Sequence, residues 1–176
     1  SWQVRPGRPF FPGPPTVSSH GGQYAFFARK GVVDNVVIEF EGGGCCYNEL
    51  TCFGPTYTRE VSVASELKSL SSSGGIRSGT NPRNPFLGWS HLYTPYCTGD
   101  AHMGNKTPGY GIHLVGQINV NAALEWLKRN VPANPGKIFV QCWIVPVCCS
   151  VVAMTLTDRH ILEVCSAHHD VVHSCQ

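Results

Sequence analysis

The run Asn35-Val36-Val37-Ile38-Glu39-Phe40-Glu41-Gly42-Gly43-Gly44-Cys45-Cys46 sets three consecutive glycines directly behind a β-branched, apolar stretch. Glycine permits backbone angles closed to other residues and lets a ligand approach bare N–H groups. Such groups can cradle a phosphate or a developing oxyanion, and the same residues serve equally well as a tight turn with no chemistry. Side chains that could attack or transfer protons lie further on. Cys142 could act as a thiolate nucleophile. Ser150 and Ser166 sit near apolar runs without glycine neighbours and read as structural or solvent-exposed. Asp158, Asp170, His160, His168, His169 and His173 supply acids and bases, but nothing in their spacing marks them as partners. The pattern Cys165-x-x-His168-His169-x-x-x-His173-x-Cys175 has metal-ligand residue types. Against so Cys- and His-rich a background it is a weak signal, and neither a metal nor another cofactor is expected.

The elements that must position the glycines follow from periodicity. Val36, Ile38 and Phe40 alternate with Val37 and Glu39, the period of a strand. Tyr24 to Lys30 forms a second strand, and a turn from Gly31 to Asn35 predicts a hairpin between the two. Residues 1 to 22 are rich in Pro and Gly and read as an extended lead-in. Residues 49 to 83 are loop-like, with a short helix around Val61 to Leu70 and a flexible Ser71-Ser72-Ser73-Gly74-Gly75 piece. His91 to Thr94 reads as a buried strand, followed by Gly-rich loops through residue 115. Within them Asn105-Lys106-Thr107 matches a glycosylation sequon, as chance alone also allows. Val120, Leu124, Leu127 and Val131 repeat at helical spacing from about Gln117 to Asn130. Lys128 and Arg129 suit that helix's C-terminal dipole, and Pro132 stops it. Lys137 to Val140 begins another strand. This alternation predicts an α/β protein, a mostly parallel sheet with flanking helices and long Gly/Pro-rich loops.

The chain has 176 residues, enough for one domain, with 42% hydrophobic and 14% charged residues, so it can bury a core. A net charge of +2 gives no electrostatic reason to expect a nucleic-acid partner. Nine cysteines suggest an oxidising compartment, and the odd number leaves at least one unpaired within the chain. Ser1-Trp2-Gln3 has no signal-peptide character, so a secreted protein would be represented here in mature form. Residues 138 to 156 are nearly unbroken apolar sequence, but Gln141, Pro146 and Ser150 argue against a membrane span.

Several separated motifs, in order, carry a resemblance. They include Tyr24-Ala25-Phe26-Phe27, Phe40-Glu41-Gly42-Gly43-Gly44-Cys45-Cys46-Tyr47-Asn48 with Thr51-Cys52, Asn84-Pro85-Phe86 and Gly88-Trp89-Ser90. Pro95-Tyr96-Cys97-Thr98-Gly99-Asp100-Ala101-His102-Met103-Gly104-Asn105, Gly116-Gln117-Ile118-Asn119 and Ala123-Leu124-Glu125-Trp126-Leu127 complete the set. Residues 1 to 140 are similar to the pectin acetylesterase and Notum-like carboxylesterase family. The resemblance implies part of an α/β-hydrolase fold and ester cleavage by a Ser nucleophile, a His base and an acidic orienter. It assigns oxyanion-hole amides to Gly43, Gly44 and Cys45, and a disulfide to Cys46 and Cys52. It places Tyr47, where the family usually has Trp, and Asp100 and His102 near the pocket, as substrate-lining or loop-shaping residues. Polysaccharide or small-ester substrates, through an acyl-enzyme, and a secreted or extracytoplasmic location follow from it.

The resemblance stops near residue 141. A nucleophile elbow needs the small-residue turn G-x-S-x-G between strand and helix. Here the chain reads Gln141-Cys142-Trp143-Ile144-Val145-Pro146, and no glycine occurs from position 137 onward. Trp143 stands in the nucleophile's slot, and Cys142 falls where the family has a packing cysteine. Residues 141 to 176 therefore read as a divergent Cys/His-rich tail, as a change of reading frame or splicing would produce. The expected chain is the N-terminal half of an esterase domain, inactive as it stands. The alternative is a non-catalytic protein that uses the same loops to bind glycan or to self-associate.

Overall fold

The computed structural model describes residues 1–7, 15–108, 111–132 and 135–143, and the backbone of 161–163. Six strands form one mixed sheet: β1 (Gln3–Pro6), β2 (Ala25–Arg29), β3 (Asn35–Phe40), β4 (Ser90–Thr94), β5 (Lys137–Cys142) and β6 (Ile161–Glu163). Their spatial order is β1-β2-β4-β3-β5-β6. β3 lies between β4 and β5 and runs parallel to both, with Ile38 opposite Leu92 on one side and Val140 on the other. β6 adds a further parallel strand beside β5, while β2 pairs antiparallel with β4 and with β1. The helices are α1 (Glu49–Phe53), α2 (Val63–Ser72) and α3 (Gly116–Asn130), with a 3₁₀ turn at Gly75–Arg77.

Because the sheet is covered on both faces, its apolar side chains divide between two cores. Val36, Ile38 and Phe40 join Tyr24, Phe26, Leu92, Ile138 and Val140 beneath the Val120, Ala123, Leu124 and Leu127 stripe of α3. On the opposite face Phe27 and Tyr93 pack against Leu70 of α2, with Trp2, Val4 and Leu67 around them. Burying a side chain such as Leu124 or Ile38 contributes about 1.5–3 kcal/mol, so each helix is held mainly by its apolar stripe.

The hairpin expected between β2 and β3 does not form, because β4 lies between them. The Gly31 turn instead carries the chain across the start of β4. Val32 N–H donates to the Gly88 carbonyl at 2.7 Å, and a Cβ on Gly31 would lie 2.2 Å from that oxygen. Only glycine permits so close a crossing. The lead-in contributes an edge strand, β1, and Ser71 and Ser72 belong to α2. The apolar run that starts at Ile138 begins as strand β5. No helix among the described residues is long and apolar enough to cross a membrane.

Candidate functional site

β3 delivers the glycines to the end of the sheet where the parallel strands have their C-termini, and three contacts fix Glu41 at the entrance. Its N–H donates to the Thr94 carbonyl at 3.0 Å, its carboxylate accepts the Tyr96 N–H at 2.8 Å, and its carbonyl accepts His102 Nε2–H at 2.9 Å. Burial pushes the Glu41 carboxyl above its ordinary range. Every glycine that follows is closely walled. An added Cβ would lie 2.7 Å from Trp143 Cβ at Gly42, 2.6 Å from the Tyr96 ring at Gly43 and 2.7 Å from Thr56 Cβ at Gly44.

The amides of this loop are not equivalent. Gly44 N–H, one of the expected oxyanion donors, already donates to the Thr56 carbonyl at 2.7 Å. Cys46 N–H is likewise taken by the Gly99 carbonyl at 2.6 Å. Gly43 N–H meets no acceptor among the described residues, and Cys45 is half-buried and disulfide-bonded. Cys46 and Cys52 are joined, as the resemblance implied, which clamps α1 beside the glycines. Asn48 caps α1 by accepting Thr51 N–H at 2.9 Å, while the Thr51 hydroxyl accepts Asn48 N–H at 3.1 Å.

The three residues expected to line a substrate are placed very differently. Tyr47 is 67% exposed on the outer side of the loop. Asp100 acts at the start of α3: Oδ2 accepts Gly116 N–H at 2.7 Å, and Oδ1 accepts the Thr98 hydroxyl at 2.7 Å. A carboxylate there satisfies an orphan amide and suits the positive end of the helix dipole. His102 is buried, its ring 5.5 Å from that of Phe40 and 5.0 Å from that of Tyr96. Burial lowers its pKa, so the ring is held neutral with Nε2–H aimed at the Glu41 carbonyl. Ala101 and His102 have φ of 54° and 61°, the left-handed region that L-residues seldom adopt. The His102 imidazole is thus turned inward, onto the carbonyl that precedes the glycine loop.

Trp143 follows β5 directly and occupies the space beside Gly42. Its N–H donates to the Phe40 carbonyl at 3.2 Å, and its indole Nε1–H donates to Glu39 Oε1 at 3.1 Å. Cys142, the residue before it, is buried in the α3-side core. Ser150, Ser166, Asp158, Asp170, His160, His168, His169, His173 and the Cys165-to-Cys175 pattern lie outside the described residues. Within them no group of His, Cys, Asp and Glu could hold a metal ion.

Glu39 is the group that sequence reasoning missed. Its carboxylate is fully buried and accepts Arg77 Nε–H on both oxygens at 2.9 Å, Arg77 Nη2–H, His91 Nε2–H at 3.1 Å and the Trp143 indole. Burial alone would raise its pKa, but hydrogen bonds from His91 and Arg77, reinforced by their charges, hold it at about 2. His91 shifts downward because burial outweighs its carboxylate partner. The signal was present in the sequence: a single acid inside an apolar strand of a covered parallel sheet requires a partner.

The family model described as Pectinacetylesterase matches residues 17–134, well over half of the chain. No curated protein matches it. Among solved structures, the Wnt deacylase Notum from Drosophila superposes with a TM-score of 0.61 at 17% identity, covering 84% of this chain. That likeness shows the fold, an α/β-hydrolase-like sheet with flanking helices. The chain spans only 48% of the Notum chain, about half its length. On the family match, carried by the β2-to-α3 segment that builds the glycine loop, this chain belongs to the pectinacetylesterase family.

Proposed function

We propose that residues 1–140 are the N-terminal part of a carboxylic-ester hydrolase domain, with its oxyanion loop present and its nucleophile position held by a side chain that cannot attack. The observation that carries this is Trp143, packed on Gly42 and tied to Glu39 and Phe40. The reaction that this loop suits is acyl transfer, in which a tetrahedral oxyanion forms beside backbone donors. Gly43 would be the first donor and Cys45, two residues on, the second, and one well-placed amide is worth roughly 3–4 kcal/mol to the transition state. Acyl esters on a polysaccharide, processed through an acyl-enzyme, are the substrates that the family supports. An indole has no lone pair basic enough to open an ester, so this chain by itself is expected to turn over little or none.

The test is hydrolysis of a chromogenic acetate ester by the purified chain. Turnover at the buffer rate is expected; turnover blocked by a serine-directed phosphonate would overturn the proposal. Residues 141–176 form the divergent remainder, and the Cys46–Cys52 disulfide supports an extracytoplasmic location.

A second reading is favoured by one observation. Tyr47, Leu50 and Phe53 are all exposed around α1, beside the glycine loop, and such a cluster suits non-catalytic binding of a glycan face or another copy of the chain. Sedimentation and glycan-array binding of the purified chain separate the two uses: a monomer that binds no glycan would rule out this reading.

A further inference from the structure

At the end of the sheet opposite the glycine loop, Lys30 follows β2 and Ser90 opens β4. With β1 and the last turn of α3 they line a cavity of about 150 Å³. Gln3, Arg5, Lys30, Ser90, Trp126 and Asn130 supply its polar and aromatic wall, and no carboxylate is among the described residues that line it. The volume falls below the roughly 300 Å³ at which drug-sized sites begin, and suits a ligand about the size of benzene.

Arg5 gives the reason to expect an occupant. Its guanidinium lies 5.2 Å from the Trp126 ring and donates through Nη2 to Gln3 Oε1, so the stack and the strand fix its position. Its Nε–H is buried and meets no acceptor among the described residues. A buried charged donor without a partner is costly, and folded proteins nearly always satisfy it with protein, water or an ion. Lys30 is a second cation, and neither it nor Arg5 meets a carboxylate among the described residues. The Ser90 hydroxyl accepts Gly31 N–H at 3.1 Å and keeps its own hydrogen to donate.

We propose that this cavity binds one tetrahedral oxyanion, phosphate or sulfate, between Arg5, Lys30 and Ser90. A water molecule could satisfy the Arg5 Nε–H, but it would leave both cations unneutralised. Two uncompensated positive charges match a dianion, whereas a carboxylate would cancel only one. Donors from β1, from the residue after β2 and from the start of β4 reach the cavity from different walls, which suits oxygens set in several directions better than a planar group. The carbonyl end of α3 also lies against the cavity, and its partial charge favours the cations without cancelling them. The site shares no residue with the glycine loop and does not depend on ester hydrolysis.

The experiment is titration of the purified chain with inorganic phosphate and with sulfate at constant ionic strength and about pH 8, where phosphate is a dianion, followed by calorimetry and thermal melts. Acetate, chloride and glucose 6-phosphate are titrated beside them. Saturable binding of one phosphate or sulfate at least tenfold tighter than of acetate is expected, with a melting midpoint that rises with occupancy. Arg5→Met should abolish binding and Lys30→Met should weaken it several-fold. Arg83→Met, which removes an exposed cation elsewhere, should leave it unchanged. Glucose 6-phosphate binding as tightly as phosphate would mark an esterified group as a source of the anion, and binding of the inorganic ions alone would mark a free ion; both support the site. Where Arg5→Met fails to fold, Lys30→Met decides, since Lys30 is exposed. No saturable binding, acetate as tight as sulfate, a midpoint raised alike by every anion, or full binding by a folded Arg5→Met or Lys30→Met chain would each overturn the assignment and leave the two cations to the end of α3. Because hydrolysis is not read, this result stands or falls separately from the esterase proposal.

Discussion

Replacing Glu39 with Gln tests whether one buried carboxylate organises the region around the glycine loop. The substitution preserves shape and removes charge. In the folded chain the carboxyl titrates at about 2, against an ordinary 4.5. Each tenfold change in proton affinity corresponds to about 1.4 kcal/mol, so the surroundings favour the ionised form by roughly 3 kcal/mol. The group is fully buried, so solvent screening takes little from that figure. The variant also leaves the Arg77 guanidinium without its counter-charge, and breaking a buried pair from one side costs about 3–5 kcal/mol. A loss of about 3–5 kcal/mol at pH 7 is therefore expected in urea denaturation. The sign of the pH dependence follows from the lowered pKa. A carboxylate held below its unfolded value stabilises fully above pH 4.5 and progressively less as pH falls toward 2. The gap between wild type and Glu39→Gln should close over that window, and the Trp143 indole should change its emission when its acceptor loses charge. A gap below about 1 kcal/mol at pH 7, or one that does not narrow between pH 5 and pH 2, would refute the reasoning.

Three other outcomes are expected. Gly43→Ala drives a methyl to 2.6 Å from the Tyr96 ring, and overpacking of this kind costs about 1–3 kcal/mol, read as a lowered thermal midpoint. Asp100→Asn removes the anion at the start of α3 and should lower stability by about 0.5–2 kcal/mol, with slower-exchanging Gly116 in wild type as the local readout by hydrogen exchange. Cys46→Ser with Cys52→Ser opens a ring spanning a sequence separation of 6 residues, for which chain entropy gives about 2 kcal/mol, measured by denaturation under non-reducing conditions.

The parts of the fold legible in the sequence are those whose evidence is local. The alternation of Val36, Ile38 and Phe40 and the repeat of Val120, Leu124 and Leu127 each follow from burial of one face, and β3 and α3 lie where those patterns put them. What local pattern does not encode is which strands become neighbours. Tyr24 to Lys30 and the run from Asn35 are separated by a short turn, as in a hairpin, yet β4 enters between them after some fifty intervening residues. Long-range partners are hidden for the same reason. Nothing near Asp100 shows that its carboxylate caps a helix 16 residues on, or that the His102 imidazole turns inward to the Glu41 carbonyl.

Glu39 connects the legible part with the hidden part. Its position in the strand period was evident, but its partners come from β4, from the turn after α2 and from the residue that follows β5. Apolar packing alone would leave those three segments free to shift against one another, because dispersion is non-directional. A carboxylate in a dry interior is not so tolerant: each donor lost leaves a charge less well satisfied, so the arrangement with all of them present is strongly preferred. Trp143 takes part in that arrangement while its Cβ closes on Gly42. A serine in the same place could neither reach Glu39 nor fill the space over Gly42. Trp143 is thus a structural member of the buried charge network, and exchanging it for a small side chain would loosen the ends of β3 and β5 beside the glycine loop.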